Sequence, residues 1–186
     1  MSNITTLGLV ELNSIAKGIF ACDAMVKISD VEIIESYPVC PGKYVIMISG
    51  DVAAVEASVK TGMLTAKDNF VDKLVIPHVH SEIIPGILGT LEMHDIQAVG
   101  ILETFSVASA IVAADTSLKA SKVNLIEIRL AKGLGGKSFY TLTGSVAAVT
   151  SAIEAGALIL EKEGVLVDKQ IIPQPHESLK QQLTEW

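Results

Sequence analysis

This chain repeats itself, and the repeat limits the folds open to it. Leu7-Gly8-Leu9-Val10-Glu11 matches Val99-Gly100-Ile101-Leu102-Glu103. At the same offset Ser14 pairs with Ser106, Ala16 with Ala108, Asp23 with Asp115, Lys27 with Lys119 and Val31 with Val123. A small step in offset brings Gly42-Lys43 onto Gly136-Lys137, and Gly50-x-Val52-Ala53-Ala54-Val55 onto Gly144-x-Val146-Ala147-Ala148-Val149. A second small step aligns Val71-Asp72-Lys73 with Val167-Asp168-Lys169, and Ile76-Pro77 and His80 with Ile172-Pro173 and His176. Collinear matches with so few gaps indicate a duplication, with copies at 5–95 and 97–186. Whatever one copy folds into, the other must fold into as well.

Each copy carries the same order of signals. Leu7 to Leu12 alternates as a strand does. The run Ile15, Ile19, Cys22 and Val26, repeated as Val107, Ile111, Ala114 and Leu118, has the spacing of one helix face, and that face is expected to be buried. Asp23 to Lys27 and Asp115 to Lys119 place an acid one helical turn before a base on the polar side. A β-rich hairpin follows, Val31–Tyr37 and Lys43–Ser49 in the first copy, with a Gly-bearing connection. Asp51 and Ser145 then stand where a second helix needs a side-chain acceptor at its N-cap. The second helix presents Val52, Val55 and Val59, or Val146, Val149 and Ile153, as its apolar stripe. A last strand, Leu74–Ile76 or Leu166–Ile172, ends at Pro77 or Pro173. The class is therefore α/β (α+β): two tandem βαββαβ units, each a ferredoxin-like sheet with two helices on one face.

Composition decides what such a chain can associate with. It is 49% hydrophobic and 19% charged with few aromatics, an apolar excess that points to buried surface between subunits. A formal charge of −7 and the lack of clustered Lys and Arg argue against nucleic acid. No apolar run approaches the ~20 residues of a membrane helix, and no basic region followed by an apolar run suggests a signal peptide. The 2 cysteines do not form a disulfide scaffold and suit a reducing cytosol.

Assembled in order, these residues resemble the bacterial microcompartment shell domain. The resemblance rests on Gly8–Glu11, on Ala16, Asp23 and Lys27, on Pro41-Gly42-Lys43, on Gly50-Asp51-Val52, and on Ile172-Pro173-Gln174-Pro175-His176. It covers nearly the whole chain and recurs in both copies. The first copy departs at Ile76-Pro77-His78-Val79-His80, and neither copy has the Arg often found between the Pro and the Pro-His. The resemblance implies a cytoplasmic tandem-domain shell protein whose homotrimer mimics a six-sided tile, a pseudohexamer packed among other shell proteins. It further implies that the hairpin loops converge on the tile axis. Lys27, Lys119, His80 and His176 would lie near the tile edge.

The two hairpin loops differ. The second copy has the Gly-rich run Ala131-Lys132-Gly133-Leu134-Gly135-Gly136-Lys137, like ordinary pore loops of the family. The first has Tyr37-Pro38-Val39-Cys40-Pro41-Gly42-Lys43. This loop, with Ser14-Ile15-Ala16-Lys17-Gly18, is similar to the trimeric iron–sulfur shell proteins of propanediol-utilisation microcompartments. That closer resemblance implies that three copies of Cys40 hold one [4Fe–4S] cluster per trimer, with one iron lacking a cysteine. Thiolates are the ligands such a cluster takes. The implied role is electron passage across the shell, with an encapsulated redox enzyme as partner, or delivery of cluster to enzymes inside. Val39, Pro41, Gly42, Gly135 and Gly136 are then pore or loop residues.

Other readings stay open. The same tile could lack a cluster and carry only a selective metabolite pore, or a ferredoxin-like duplication could bind an effector in a subunit cleft. Cys22 falls on the apolar stripe and is expected to be a core thiol. His78 and His80 could form a metal pair, yet only His80 recurs, as His176, which favours a turn-holding role. The Gly133 run lacks the spacing of a phosphate loop. No nucleophile–base pair, carboxylate dyad or divalent-metal cluster stands out, so an enzyme is not expected.

Overall fold

A computed structural model describes residues 6–92 and 95–184. The chain divides into two compact units, 1–79 and 80–186.

The first unit runs β1 (Thr6–Leu12), α1 (Ile15–Ile28), β2 (Glu32–Val39), β3 (Lys43–Gly50), α2 (Val52–Ala66) and β4 (Phe70–Pro77), with a 3-10 turn at Lys67–Asn69. Its strands pair in the order β2-β3-β1-β4, every neighbour antiparallel. Strands β1 and β2 are therefore parallel with β3 inserted between them, which is the ferredoxin-like arrangement. The second unit begins with a short helix α3 (Ile83–Leu88) and repeats the plan: β5 (Ala98–Thr104), α4 (Val107–Ala120), β6 (Asn124–Leu130), β7 (Ser138–Gly144), α5 (Val146–Glu163) and β8 (Leu166–Ile172). Its sheet order is β6-β7-β5-β8, and helix α6 (Glu177–Thr184) follows.

The helix starts are set by local chemistry. Ser14 accepts a hydrogen bond from the Lys17 amide at 3.3 Å, and Ser106 from the Ser109 amide at 3.1 Å. Asp51 accepts from the Ala54 amide at 2.9 Å and Ser145 from the Ala148 amide at 3.3 Å. Each cap satisfies one of the backbone donors that a helix leaves unpaired at its start. The recurring Leu/Val-Gly in the first strand has a packing cause. A Cβ on Gly8 would sit 2.6 Å from Val55 Cγ1, and one on Gly100 would sit 2.6 Å from Ile153 Cγ1. Only glycine lets the second helix lie this close to the middle of the sheet.

Three expectations change. The buried residues of α1 are Gly18, Ala21, Cys22 and Met25, so of the expected stripe only Cys22 lies in the core, while Ile15 and Ile19 are exposed and Val26 is half-buried. The cause is a close helix–sheet approach at Tyr44: a Cβ on Gly18 would lie 2.4 Å from Tyr44 Cδ1, so glycine takes the inner face at that point. Helix α4 does bury Val107, Ile111, Ala114 and Leu118, together with its own inner face at Ala110, Ala113 and Ser117. In the second helices Val55, Val59, Val149 and Ile153 are buried, but Val52 is half-buried and Val146 is exposed, because each follows its cap directly in the first turn. The last strand of the first unit starts at Phe70, ahead of Leu74, and pairs through Phe70↔Leu12 across a register shift in β1.

Candidate functional site

The first hairpin is a narrow support for the cysteine. Pairing of β2 with β3 continues to Val39↔Lys43, leaving only residues 40–42 to turn. The Gly42 amide donates to the Val39 carbonyl at 2.9 Å, and Gly42 has φ +89°, a backbone state that glycine adopts without strain. Val39 is buried, Cys40 is half-buried, and Pro41 and Gly42 are exposed. Deeper in the hairpin, the Ser36 hydroxyl donates to Tyr44 Oη at 3.0 Å and approaches Cys22 Sγ at 3.5 Å. Cys22 is thus a core thiol, and Cys40 is the cysteine that reaches the surface. On the same strand the Tyr37 phenol is pushed up to about 12 by burial, with Glu35 adding to the shift.

An ion pair that sequence reading missed ties each loop to its sheet. Lys43 Nζ lies 3.0 Å from Glu11 Oε1, whose side chain is buried, and Lys137 Nζ lies 2.6 Å from Glu103 Oε1. All four residues belong to the repeat, and a glutamate and a lysine recurring together was the available signal. A buried carboxylate needs such a partner, and pairing it to the loop lysine fixes where the hairpin tip points.

The second loop is built differently. Residues 131–137 connect β6 to β7, with Ala131, Gly133, Gly135 and Gly136 all at positive φ. It closes on itself through the Ala131 amide to the Lys137 carbonyl and the Lys137 amide to the Leu134 carbonyl, both at 3.1 Å. Gly135 and Gly136 therefore sit in a longer, side-chain-poor loop, and it opens no helix.

The remaining sequence-derived residues fall elsewhere. Lys27 pairs with Asp23 and Lys119 with Asp115, each at 2.6 Å along one helix face. His80 Nδ1 accepts from the Glu82 amide at 3.4 Å, and His176 Nδ1 accepts from the Ser178 amide at 3.2 Å, so both histidines hold the turn after a final strand. His80 also donates its backbone N–H to Asp115 Oδ1 at 2.8 Å, which joins the turn to the Asp115–Lys119 pair. His78 is exposed with φ +54°. Among the described residues of one chain, no three His, Cys, Asp or Glu side chains come together as a metal site. A single chain offers one surface thiol, and a cluster ligated by cysteine needs more than one. The donor fits such a group only where copies of the loop meet.

The BMC domain matches residues 6–79 and again 98–175, the two ferredoxin-like repeats just described. The chain belongs to the BMC-domain family, as a tandem shell protein. The bacterial microcompartment shell protein PduT of Citrobacter freundii is 43% identical over 179 residues, covering 96% of this chain and 97% of its own length. The crystal structure of a microcompartments protein from Desulfitobacterium hafniense DCB matches with a TM-score of 0.91 at 50% identity, over 96% of this chain and 99% of that one. The shell protein EutM of Salmonella typhimurium is 34% identical over 85 residues, covering 46% of this chain and 86% of its own length, so it corresponds to a single repeat. Membership in this BMC family of shell proteins assigns a structural role rather than an enzymatic one. Among the described residues, no helix is long and apolar enough to cross a membrane.

Proposed function

We propose that this BMC protein is a structural tile of a bacterial microcompartment shell that assembles as a homotrimer and carries one [4Fe–4S] cluster on the trimer axis. The observation that carries the cluster reading is the contrast between the two hairpins: the first ends in a three-residue turn holding Cys40 at the surface, and the second ends in a glycine loop without a thiol. A threefold axis through the first loops would bring three Cys40 thiolates to one point and leave one iron for a non-cysteine ligand. Pro41 and Gly42 would place backbone around that point, while Gly135 and Gly136 would line the second set of loops. A bound cluster would supply one-electron redox capacity at the centre of the tile. Its uses are electron passage to an encapsulated redox enzyme or cluster delivery. The likeness to PduT supports the shell-tile role, and the resemblance of the Cys40 loop given above is what points to a propanediol-utilisation compartment. Lys27, Lys119, His80 and His176 are proposed as tile-edge residues in contact with other shell proteins, and the duplicated copies as 5–95 and 97–186.

Iron and acid-labile sulfide content with EPR on anaerobically purified protein tests this, with Cys40→Ser beside the wild type. The expected result is about four irons per trimer, lost completely in the variant while the trimer persists. Iron-free protein after anaerobic reconstitution would leave a tile whose loops form only a metabolite pore.

A further inference from the structure

Strands β4 and β8 run into the same turn. After β4, Val79 is buried, and the His80 carbonyl accepts from the Ile83 amide at 3.0 Å. After β8, Pro175 is buried, and the His176 carbonyl accepts from the Leu179 amide at 2.9 Å. With the two Nδ1 bonds given above, the turns share these two bonds, the second adding one from the Lys180 amide to the His176 carbonyl, and each feeds a short helix, α3 or α6. Both are arms that trail a repeat.

The first arm is docked. It folds as part of the second unit, where His80 N–H meets Asp115 Oδ1 at 2.8 Å and Glu82 Oε2 accepts from the Leu125 amide at 2.6 Å. Gly86 lies so close to Leu125 that a Cβ would come within 2.4 Å of its Cδ2. Ile83 on the arm and Ile111 and Leu125 beneath it are all at 0% exposure. The second arm, 176–184, is not docked in this way. Leu183 holds it against Ile96, Val99 and Ile126 of its own unit, but His176 is exposed and Leu179, the counterpart of Ile83, is 38% exposed. Among the described residues, the matching socket on the first unit is open. Ile19 and Ile33, the counterparts of Ile111 and Leu125, are 56% and 47% exposed, and Phe20, next to Ile19 in the chain, is exposed as well. The Asp23 side chain is 55% exposed where that of Asp115 is 9%.

We infer that the arm 176–184 of one copy docks on the α1–β2 face of a second copy, reproducing between chains the contact that the first arm makes within the second unit. The His176 backbone N–H donates to the Asp23 carboxylate, and Leu179 packs on Ile19 and Ile33. Arm and socket are different surfaces, so the contact is head-to-tail rather than a symmetric pair, and a rotation of one third of a turn between copies closes it into the trimer. This rests on the trimer proposed above and names the residues that hold it.

The double variant Ile19→Cys with Leu179→Cys, prepared from mixed 14N- and 15N-labelled chains and oxidised, tests the contact beside each single variant. The expected result is covalent dimer and trimer on non-reducing gels only in the double variant, with a disulfide-linked peptide pair that joins position 19 of one isotope to position 179 of the other. A wild-type-sized trimer without that linked pair, or a linkage confined to single chains, would overturn the inference. Leu179→Glu, folded by circular dichroism because the site is exposed in the single chain, is expected to weaken association at least tenfold in sedimentation equilibrium. Unchanged association would also overturn it. A wild type that sediments as a monomer at every concentration would instead remove the trimer reading itself, and this inference with it.

Discussion

Helices α1 and α4 hold equivalent places in the two repeats, carry the same apolar spacing, and end with opposite surfaces. On α4 the stripe is covered and Asp115 has a backbone N–H as well as a lysine. On α1 Ile15 and Ile19 of that stripe are open, and among the described residues Asp23 pairs with Lys27 alone. Both helices are amphipathic in sequence, so amphipathicity cannot say which stripe is core. What differs is whether a trailing segment comes to lie on it. In this duplicated protein the covered repeat shows what the uncovered one lacks.

The widest separation between the two helices is expected in stability. Ile111→Ala removes fully buried methyl groups and should cost about 2–5 kcal/mol in urea unfolding. Ile19→Ala should cost under ~1 kcal/mol at protein concentrations too low for association, since its side chain already meets water there. Equal losses would break the comparison.

A smaller effect is expected at the paired aspartates. Asp115→Ala removes the acceptor of the His80 amide and should cost about 1–2 kcal/mol. Asp23→Ala, measured in the same dilute regime, loses only an exposed helix-face ion pair worth about 0.5 kcal/mol or less. A double-mutant cycle with the neighbouring lysines would show whether the lysine or the amide sets the difference.

The smallest effect is expected in the alkaline pH dependence of Tyr37, whose counterpart in the second repeat is Arg129. The fold raises the phenol from 10.0 to about 12 by burial and by Glu35. Because the folded value lies above the unfolded one, this contribution to stability is complete below pH ~10 and is lost as pH rises toward 12. Ultraviolet titration should show a tyrosine step near 12 that Tyr37→Phe removes, and the variant should lose less stability between those pH values.

Much of the site was legible because its cues are local. The duplication, the strand–helix order, the N-caps at Asp51 and Ser145, and the contrast between a Cys-Pro-Gly turn and a glycine loop all depend on residues close in the chain, whereas the caps at Ser14 and Ser106 emerged only with the structure. The histidine turns were legible in the same local way, as one histidine recurring per copy. The Glu11–Lys43 and Glu103–Lys137 pairs were harder to see, because each joins residues that only the antiparallel β1–β3 or β5–β7 pairing brings together.

Two repeats, the topology of each, and the place of the thiol-bearing loop can be read along the chain. Spacing, capping groups and glycine carry that information along the backbone. It took three-dimensional packing to turn Gly18, Ala21 and Met25 toward the α1 core, to leave Ile15 and Ile19 outside it, and to close over the same stripe on α4. Periodicity states that a helix has an apolar face. Which face becomes interior depends on how closely the sheet approaches and on which distant segment returns to cover the rest, and neither is written within the helix.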